Sequence, residues 1–340
     1  MPDDLLIAQM AEADGGGHAH YRIGGPGRAL ARLPGVTVVD CDPRHRLVPW
    51  LVEEADVLVL HGTHPDSPPA ARRRRDRGRA TVFEASDDYF DLQPWTDASA
   101  AWLDRTRHDQ FWQLLGAVDA VQTSTATLAG RWAPKARAVL VFPNDLGEVP
   151  PLPPPRAPGP LTVGWAGSAT HLADWLSVAL VLQRWAAGRD GVRLAVMSDE
   201  LARDYVRLPA DRYRFQPRGT LAEYERFLGT LDVAVVPLLP SPFNRGRTDL
   251  KFRELAARGV PGVYAAAGPY PHAIDPGRTG LLYRTPAELT RHLDALADDP
   301  ALRQSIRAAA HAHVAAGGAD SAGDRLAAYR GLLPDRKSVV

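Results

Sequence analysis

Between residues 149 and 160 the chain reads Val149-Pro150-Pro151-Leu152-Pro153-Pro154-Pro155-Arg156-Ala157-Pro158-Gly159-Pro160, seven prolines in twelve residues. Proline holds φ at about −65° and has no amide hydrogen, so this stretch can be neither helix nor central strand. It is expected to be a stiff linker of polyproline character. That one feature divides 340 residues into two halves of ordinary domain size. It sets a first domain over 1–148, a linker over 149–160 and a second domain over 161–335, whose terminal helix is available to pack back on the first.

Both halves alternate short apolar runs with helical patterns. In the first, strands are expected at Leu5–Gln9, Val36–Asp40, Ala55–Leu60, Thr81–Ala85, Asp119–Thr123 and Ala136–Phe142, with helices near Gly27–Arg32, Ala100–Ala117 and Thr125–Trp132. Trp102, Phe111, Trp112, Leu114 and Leu115 fall at helical spacing and read as core. In the second half, strands are expected at Leu161–Ala166, Val192–Met197, Arg212–Gln216, within Leu231–Leu239, and at Val260–Tyr264 and Thr279–Tyr283. Helices are expected at Leu172–Ala187, Leu221–Gly229, Pro286–Ala297, Ala301–Ala316 and Ser321–Leu332. Strand–helix alternation gives parallel sheets. The fold class is therefore α/β, two Rossmann-like domains facing across a cleft, with ligands expected between the carboxyl edges of the two sheets.

Composition narrows the partners. Lys plus Arg (40) balance Asp plus Glu (40), so no nucleic acid is expected as a partner. The run Arg72–Arg75 reads as the solvated end of a helix. The single cysteine, Cys41, excludes an intrachain disulfide framework and a cysteine-based zinc site. There is no secretory leader pattern and no apolar run near the ~20 residues of a membrane span. A cytoplasmic protein is expected, with peripheral membrane contact left open.

The chemistry concentrates at residues 241–262. The apolar run before them leads into a loop, Pro240–Arg247, then a helix capped by Thr248 and running from Asp249 to about Arg258, closed by Gly259 and Pro261. Arg245, Arg247 and Lys251 crowd its start, where the helix dipole disfavours cations. Two readings stand: a phosphate bound there turns that cost into a gain, or Lys251 pairs with Glu254 while the arginines stay in solvent. Three earlier loops also sit after strands. Asp14-Gly15-Gly16-Gly17-His18 is a plain turn or a backbone that lets a ligand approach. His61-Gly62-Thr63-His64 holds either site histidines, a metal pair among them, or ordinary surface ones. Ser86-Asp87-Asp88 supplies helix caps or acid/base groups.

Several segments then follow a known order: Val163-Gly164-Trp165-Ala166-Gly167-Ser168 with His171 and Asp174; Asp232 to Leu238; Pro242-Phe243-Asn244; Asp249 to Glu254; Ala256 to Pro261; Gly268-Pro269-Tyr270; and Gly277 to Leu282. In these the second domain, over about residues 160–315, resembles retaining glycosyltransferases of the GT-B fold, the group 1 or family 4 type. The first domain resembles their acceptor domain through Tyr21-Arg22-Ile23, Asp87-Asp88 and Thr125 to Asn144. The resemblance implies transfer of a sugar from a nucleotide-diphosphate sugar to a small-molecule or glycan acceptor, with retention and without a metal or other cofactor. It implies donor-binding roles for Gly16, Gly167, Ser168, His171, Asn244, Arg247, Lys251, Glu254, Gly268 and Tyr270. It makes His61 the catalytic-site histidine, with His64 second, and places Tyr21, Arg22, His64, Asp87 and Asp88 at the acceptor. Glu254 matches the glutamate that holds ribose hydroxyls. Its usual partner eight positions earlier is Gly246 here, and Ser168 and Ala173 stand where the family carries a basic pair. A nucleotide-sugar epimerase or a phosphorylase on the same fold, and a binding-only homologue, are the alternatives.

Overall fold

The computed structural model describes residues 4–11, 16–92, 94, 97–144, 146–157, 159–317 and 321–334. The chain forms two compact units, Met1–Gly147 with Ala319–Val340, and Glu148–Gly318.

In the first unit, strands β1 (Leu5–Met10), β2 (Val36–Cys41), β3 (Val57–His61), β4 (Ala80–Glu84), β5 (Ala120–Thr123) and β6 (Val139–Val141) make one sheet. Every pairing is parallel, in the order β2-β1-β3-β4-β5-β6. Its central strands are apolar on both faces because helices cover both. Alternate residues of β1 enter two separate cores: Ala8 and Met10 join Phe83, Phe111 and Trp132, while Leu5 and Ile7 join Val59, Val82 and Tyr329. The helices are α1 (Gly16–His18), α2 (Gly25–Leu30), α3 (Val48–Glu54), α4 (Ser67–Asp76), α5 (Asp97–Trp102), α6 (Arg105–Ala117) and α7 (Ala126–Trp132).

The second unit repeats the scheme. β7 (Leu161–Ala166), β8 (Val192–Ser198), β9 (Tyr213–Pro217), β10 (Val233–Val236), β11 (Gly262–Ala265) and β12 (Leu281–Tyr283) lie in the order β12-β11-β10-β7-β8-β9, again all parallel. Around them run α8 (Leu172–Ala187), α9 (Leu221–Leu228), α10 (Pro242–Arg245), α11 (Leu250–Ala257), α12 (Tyr270–Ala273), α13 (Pro286–Asp298) and α14 (Pro300–Ala316). The last helix, α15 (Ser321–Arg330), packs in the first unit, on α2. There the Tyr329 hydroxyl donates to Gln122 Oε1 at 2.6 Å.

Several local expectations are corrected. Helical winding is already present at Gly16, not first near Gly27: a π-helical stretch, Ala19–Gly24, leads straight into α2. Asp14 and Gly15, the start of the expected glycine loop, lie outside the described residues. The Gln9 side chain on β1 donates to the Ile23 carbonyl at 3.0 Å, which ties this segment to the sheet. The single helix expected over Ala100–Ala117 is two, because the Asp104 carboxylate accepts from Thr106 N at 2.9 Å and starts α6 afresh. The arginine run is not all solvated. Arg74 is 1% exposed, donating to Thr81 Oγ1 and to the carbonyls of Val52, Ala55 and Ala80. Neutral carbonyls take the place of water around that charge, and burial lowers its pKa to about 10. Finally, the loop Pro240–Arg247 contains α10, capped by Ser241 Oγ accepting from Asn244 N at 3.1 Å. The N-cap position of α11 falls on Asp249, one residue after the expected Thr248, and the Asp249 carboxylate turns forward to accept from Arg253 Nε at 2.9 Å.

Candidate functional site

In an open parallel sheet, a ligand crevice forms at the carboxyl edge where neighbouring strands lead their connections to opposite sides. The strand orders place such a point between β1 and β3 in the first unit, and between β7 and β10 in the second.

In the second unit, α11 follows β10 and brings its first turn to the end of β7. Lys251 Nζ donates to the Ala166 carbonyl at 2.7 Å and stands 5.7 Å from the centre of the Tyr224 ring. Burial lowers its pKa, with Glu254 pulling the other way and Arg247 adding to the fall. Glu254, less than one turn on, is 4% exposed and accepts from the Tyr224 hydroxyl at 2.7 Å. The α11 cation is therefore fixed by backbone and ring, not merely paired along its own helix. Arg247 stacks on Phe243, 4.3 Å from guanidinium to ring centre, and donates to Thr170 Oγ1 at 3.4 Å.

The loop after β7 faces the same point. Ser168 Oγ lies 2.8 Å from Thr170 Oγ1, and Gly167 N donates to Met197 O at 3.0 Å. Asp174, in the first turn of α8, joins the pieces. Fully buried, it accepts from Leu239 N (2.8 Å), Asn244 Nδ2 (2.9 Å) and His171 Nδ1 (2.8 Å). A carboxylate offers only acceptors, so His171 carries its proton on Nδ1 and leaves Nε2 as an acceptor. Burial, followed by the Arg247 charge, outweighs the Asp174 carboxylate and lowers the His171 pKa to about 4. Asn244 also donates to Leu239 O at 3.0 Å, while its buried Oδ1 accepts nothing among the described residues. Gly268 holds φ at +56°, and a Cβ there would lie 2.7 Å from Leu238 Cδ2. Its glycine lets the loop after β11 pass close to α10. Tyr270 starts α12, 3% exposed, with its ring 5.2 Å from that of Tyr264.

In the first unit the ends of β3 and β4 meet the end of α1. His18 Nε2 is 2.8 Å from Asp87 Oδ2 and its Nδ1 is 3.2 Å from Ser86 Oγ. The rings of His18 and His61 are 5.8 Å apart. Gly16 opens this segment at φ +59°. The other four residues expected at the acceptor are placed as follows. Arg22 is 2% exposed and forked onto Glu84, with Nε to Oε1 at 2.9 Å and Nη2 to Oε2 at 3.2 Å; Nη1 donates to the Phe142 carbonyl. Its donors are taken up by Glu84, the Phe142 carbonyl and Asn144 Oδ1. Tyr21 is 5% exposed against His20. Asp88 caps the turn Tyr89–Asp91 through Phe90 N and pairs with Arg131 at 3.3 Å; burial raises its pKa, against the Arg131 charge. His64 is 70% exposed, beside Asp66 at 3.6 Å on a surface turn.

The residues that sequence reasoning left out of the site are His18, Thr170, Asp174 and Tyr224. Asp174 carried a signal, a carboxylate three positions after His171 where a helix begins. Tyr224 carried none, being thirty residues from Glu254. Among the described residues no group of three His, Cys, Asp or Glu side chains is placed to hold a metal, and no helix is long and apolar enough to cross a membrane.

Residues 180–319 match a family model described as glycosyl transferase-like. No curated protein matches the chain. Among solved structures, the chain is similar to a sucrose-phosphate synthase from Thermosynechococcus elongatus (TM-score 0.65, 19% identity, 96% of this chain and 99% of that one). It is also similar to a glycosyltransferase from Rickettsia africae (0.63, 11%, 98% and 99%). A third is HepE from Anabaena, solved in complex with UDP (0.61, 15%, 97% and 100%). The fold is GT-B, and the second unit carries the glycosyltransferase-like segment.

Proposed function

We propose that the chain transfers a sugar from a nucleoside-diphosphate sugar to a small-molecule or glycan acceptor, with retention and without a metal ion. The observation that carries this reading is the pair Lys251 and Glu254 on α11, at the point where β7 and β10 diverge, within a segment matching a glycosyl transferase-like family. An ammonium has three N–H donors, and the Ala166 carbonyl takes one. The other two suit a diphosphate, as does the N-terminal end of α11. Arg247, steadied by Phe243 and Thr170, supplies a second cation. Together they replace the basic pair absent at Ser168 and Ala173. Glu254 accepts from ribose hydroxyls, sharing that duty with Tyr224. The buried Asn244 Oδ1 is a ready acceptor for a donor hydroxyl.

Breaking the glycosidic bond to a diphosphate builds negative charge on the leaving phosphate. Cations already fixed in place stabilise that charge without reorganising. No carboxylate stands out in the sequence as a covalent nucleophile, so front-face attack follows, the leaving phosphate taking the acceptor proton. In the first unit His61, with His18, Ser86 and Asp87, positions the acceptor. A calorimetric panel of nucleoside diphosphates and their sugars, paired with a donor-hydrolysis assay, tests the reading. Micromolar binding with turnover is expected. Binding without turnover of any donor would convert the protein to a binding-only homologue, the reading that Gly246 favours. Absence of binding would remove the donor assignment altogether.

A further inference from the structure

We propose that the amino-terminal edge of the second sheet carries a separate anion pocket that takes a small, multiply phosphorylated molecule. A cavity of about 680 Å³ lies between the proline-rich segment and the starts of β7, β8, β10 and β11. All six strands are parallel, so this edge is opposite the one that holds Lys251.

Five arginines line the cavity, Arg156, Arg193, Arg258, Arg303 and Arg307, against one acid, Asp232. Arg258 is neutralised by Glu225 at 2.7 Å, and Arg156 reaches Asp232 only at 3.6 Å. Arg303 donates to the carbonyls of Leu296 and Ala297. Arg307 donates to the carbonyls of Gly259 and Pro153, and its Nη1 donates to Gln304 Oε1 on the same helix at 3.3 Å. Arg193 is exposed at the rim. Among the described residues Arg193, Arg303 and Arg307 form no ion pair. Neutral carbonyls aim a guanidinium without cancelling its charge, so the cavity keeps a positive field in a chain whose net charge is zero. Guanidinium forks match phosphate oxygens two at a time. The volume falls within the roughly 300–1,000 Å³ of small-molecule sites, and the proline wall is stiff before any ligand arrives. Several uncancelled charges around one small space select a compact polyanion over a single carboxylate.

Inorganic tripolyphosphate is the probe, titrated by calorimetry into the full chain. Saturable binding is expected in the wild type and in Lys251→Ala, which removes the cation of the opposite edge. Arg193→Gln with Arg156→Gln is expected to weaken it at least tenfold. Neither side chain holds a backbone group, so the fold is expected to survive, which a melting curve checks. Raising the salt concentration should weaken binding further. Unchanged affinity in the arginine variant, loss of all binding in Lys251→Ala, or no saturable binding in the wild type would each overturn the proposal. The arginine exchange is also read in the Lys251→Ala background, where the cation of the opposite edge is gone, so that binding at the donor site does not mask the result and the two readings fail separately.

Discussion

Asp174 shows how one buried side chain can hold several loop groups together. Its buried carboxylate collects His171 Nδ1 from the turn just before its own helix, and Leu239 N and Asn244 Nδ2 from the connection after β10. A buried charge costs several kcal/mol unless its acceptors are filled, and removing it strands the donors it served. Asp174→Ala should therefore destabilise the protein by about 3 kcal/mol, read by urea unfolding, and should loosen the α10 loop. His171 has the opposite sensitivity. Its folded pKa of about 4 lies below the ~6.5 of a free histidine. Between those values the unfolded chain binds more protons, so stability falls as pH falls from about 6.5 and the loss is complete below about 4. The wild type should lose about 3 kcal/mol across that window relative to His171→Gln, measured by unfolding at pH 7 and near pH 4. At Lys251 the expected loss is in binding: Lys251→Ala should weaken nucleoside-diphosphate affinity by at least tenfold with a smaller change in melting temperature. Equal affinity would end its assignment to the diphosphate.

At the scale of elements, α11 was the most legible piece and its surroundings the least. Its length and its glycine stop follow from local chemistry. Gly259 takes φ +63° just past the helix end, and Val260 N returns to the Leu255 carbonyl at 2.9 Å. A Cβ at Gly259 would also lie 2.8 Å from Leu152 and 2.9 Å from Arg307. Gly259→Ala should destabilise the second unit by about 1–2 kcal/mol, combining backbone strain with that clash; an unchanged melting temperature would contradict it. Helix α15 depends on long-range contacts instead. Tyr329 and Arg325 reach Gln122 at 2.6 and 3.4 Å, and Gln122 in turn donates to Glu84 at 2.7 Å. Tyr329→Phe should cost about 1–2 kcal/mol by removing one buried hydrogen bond, detectable as a shift in the urea midpoint.

At the scale of the molecule, each unit carries its own sheet and its own crevice. The proposed roles then make a regional prediction. Hydrogen exchange with a bound nucleoside diphosphate should slow in the loop after β7, in α10 and in the first turn of α11, and change little in β1 to β6. Protection centred on the first unit instead would reassign the donor site. The sequence by itself determined the two-part division, the strand–helix alternation and the cations before α11, because these rest on local properties: proline's missing amide, apolar run length and helix-end chemistry. It also marked the segment that resembles glycosyltransferases. Tertiary structure alone decided that Arg22 and Arg74 are interior, which groups Asp174 gathers, that Tyr224 supports Glu254, and which helix α15 packs on. Those outcomes turn on which backbone and side-chain groups supply hydrogen bonds to a buried polar atom. Most such partners are far apart in sequence, as Glu84 is from Arg22, Glu254 from Tyr224 and Leu239 from Asp174, where neither periodicity nor spacing carries a signal.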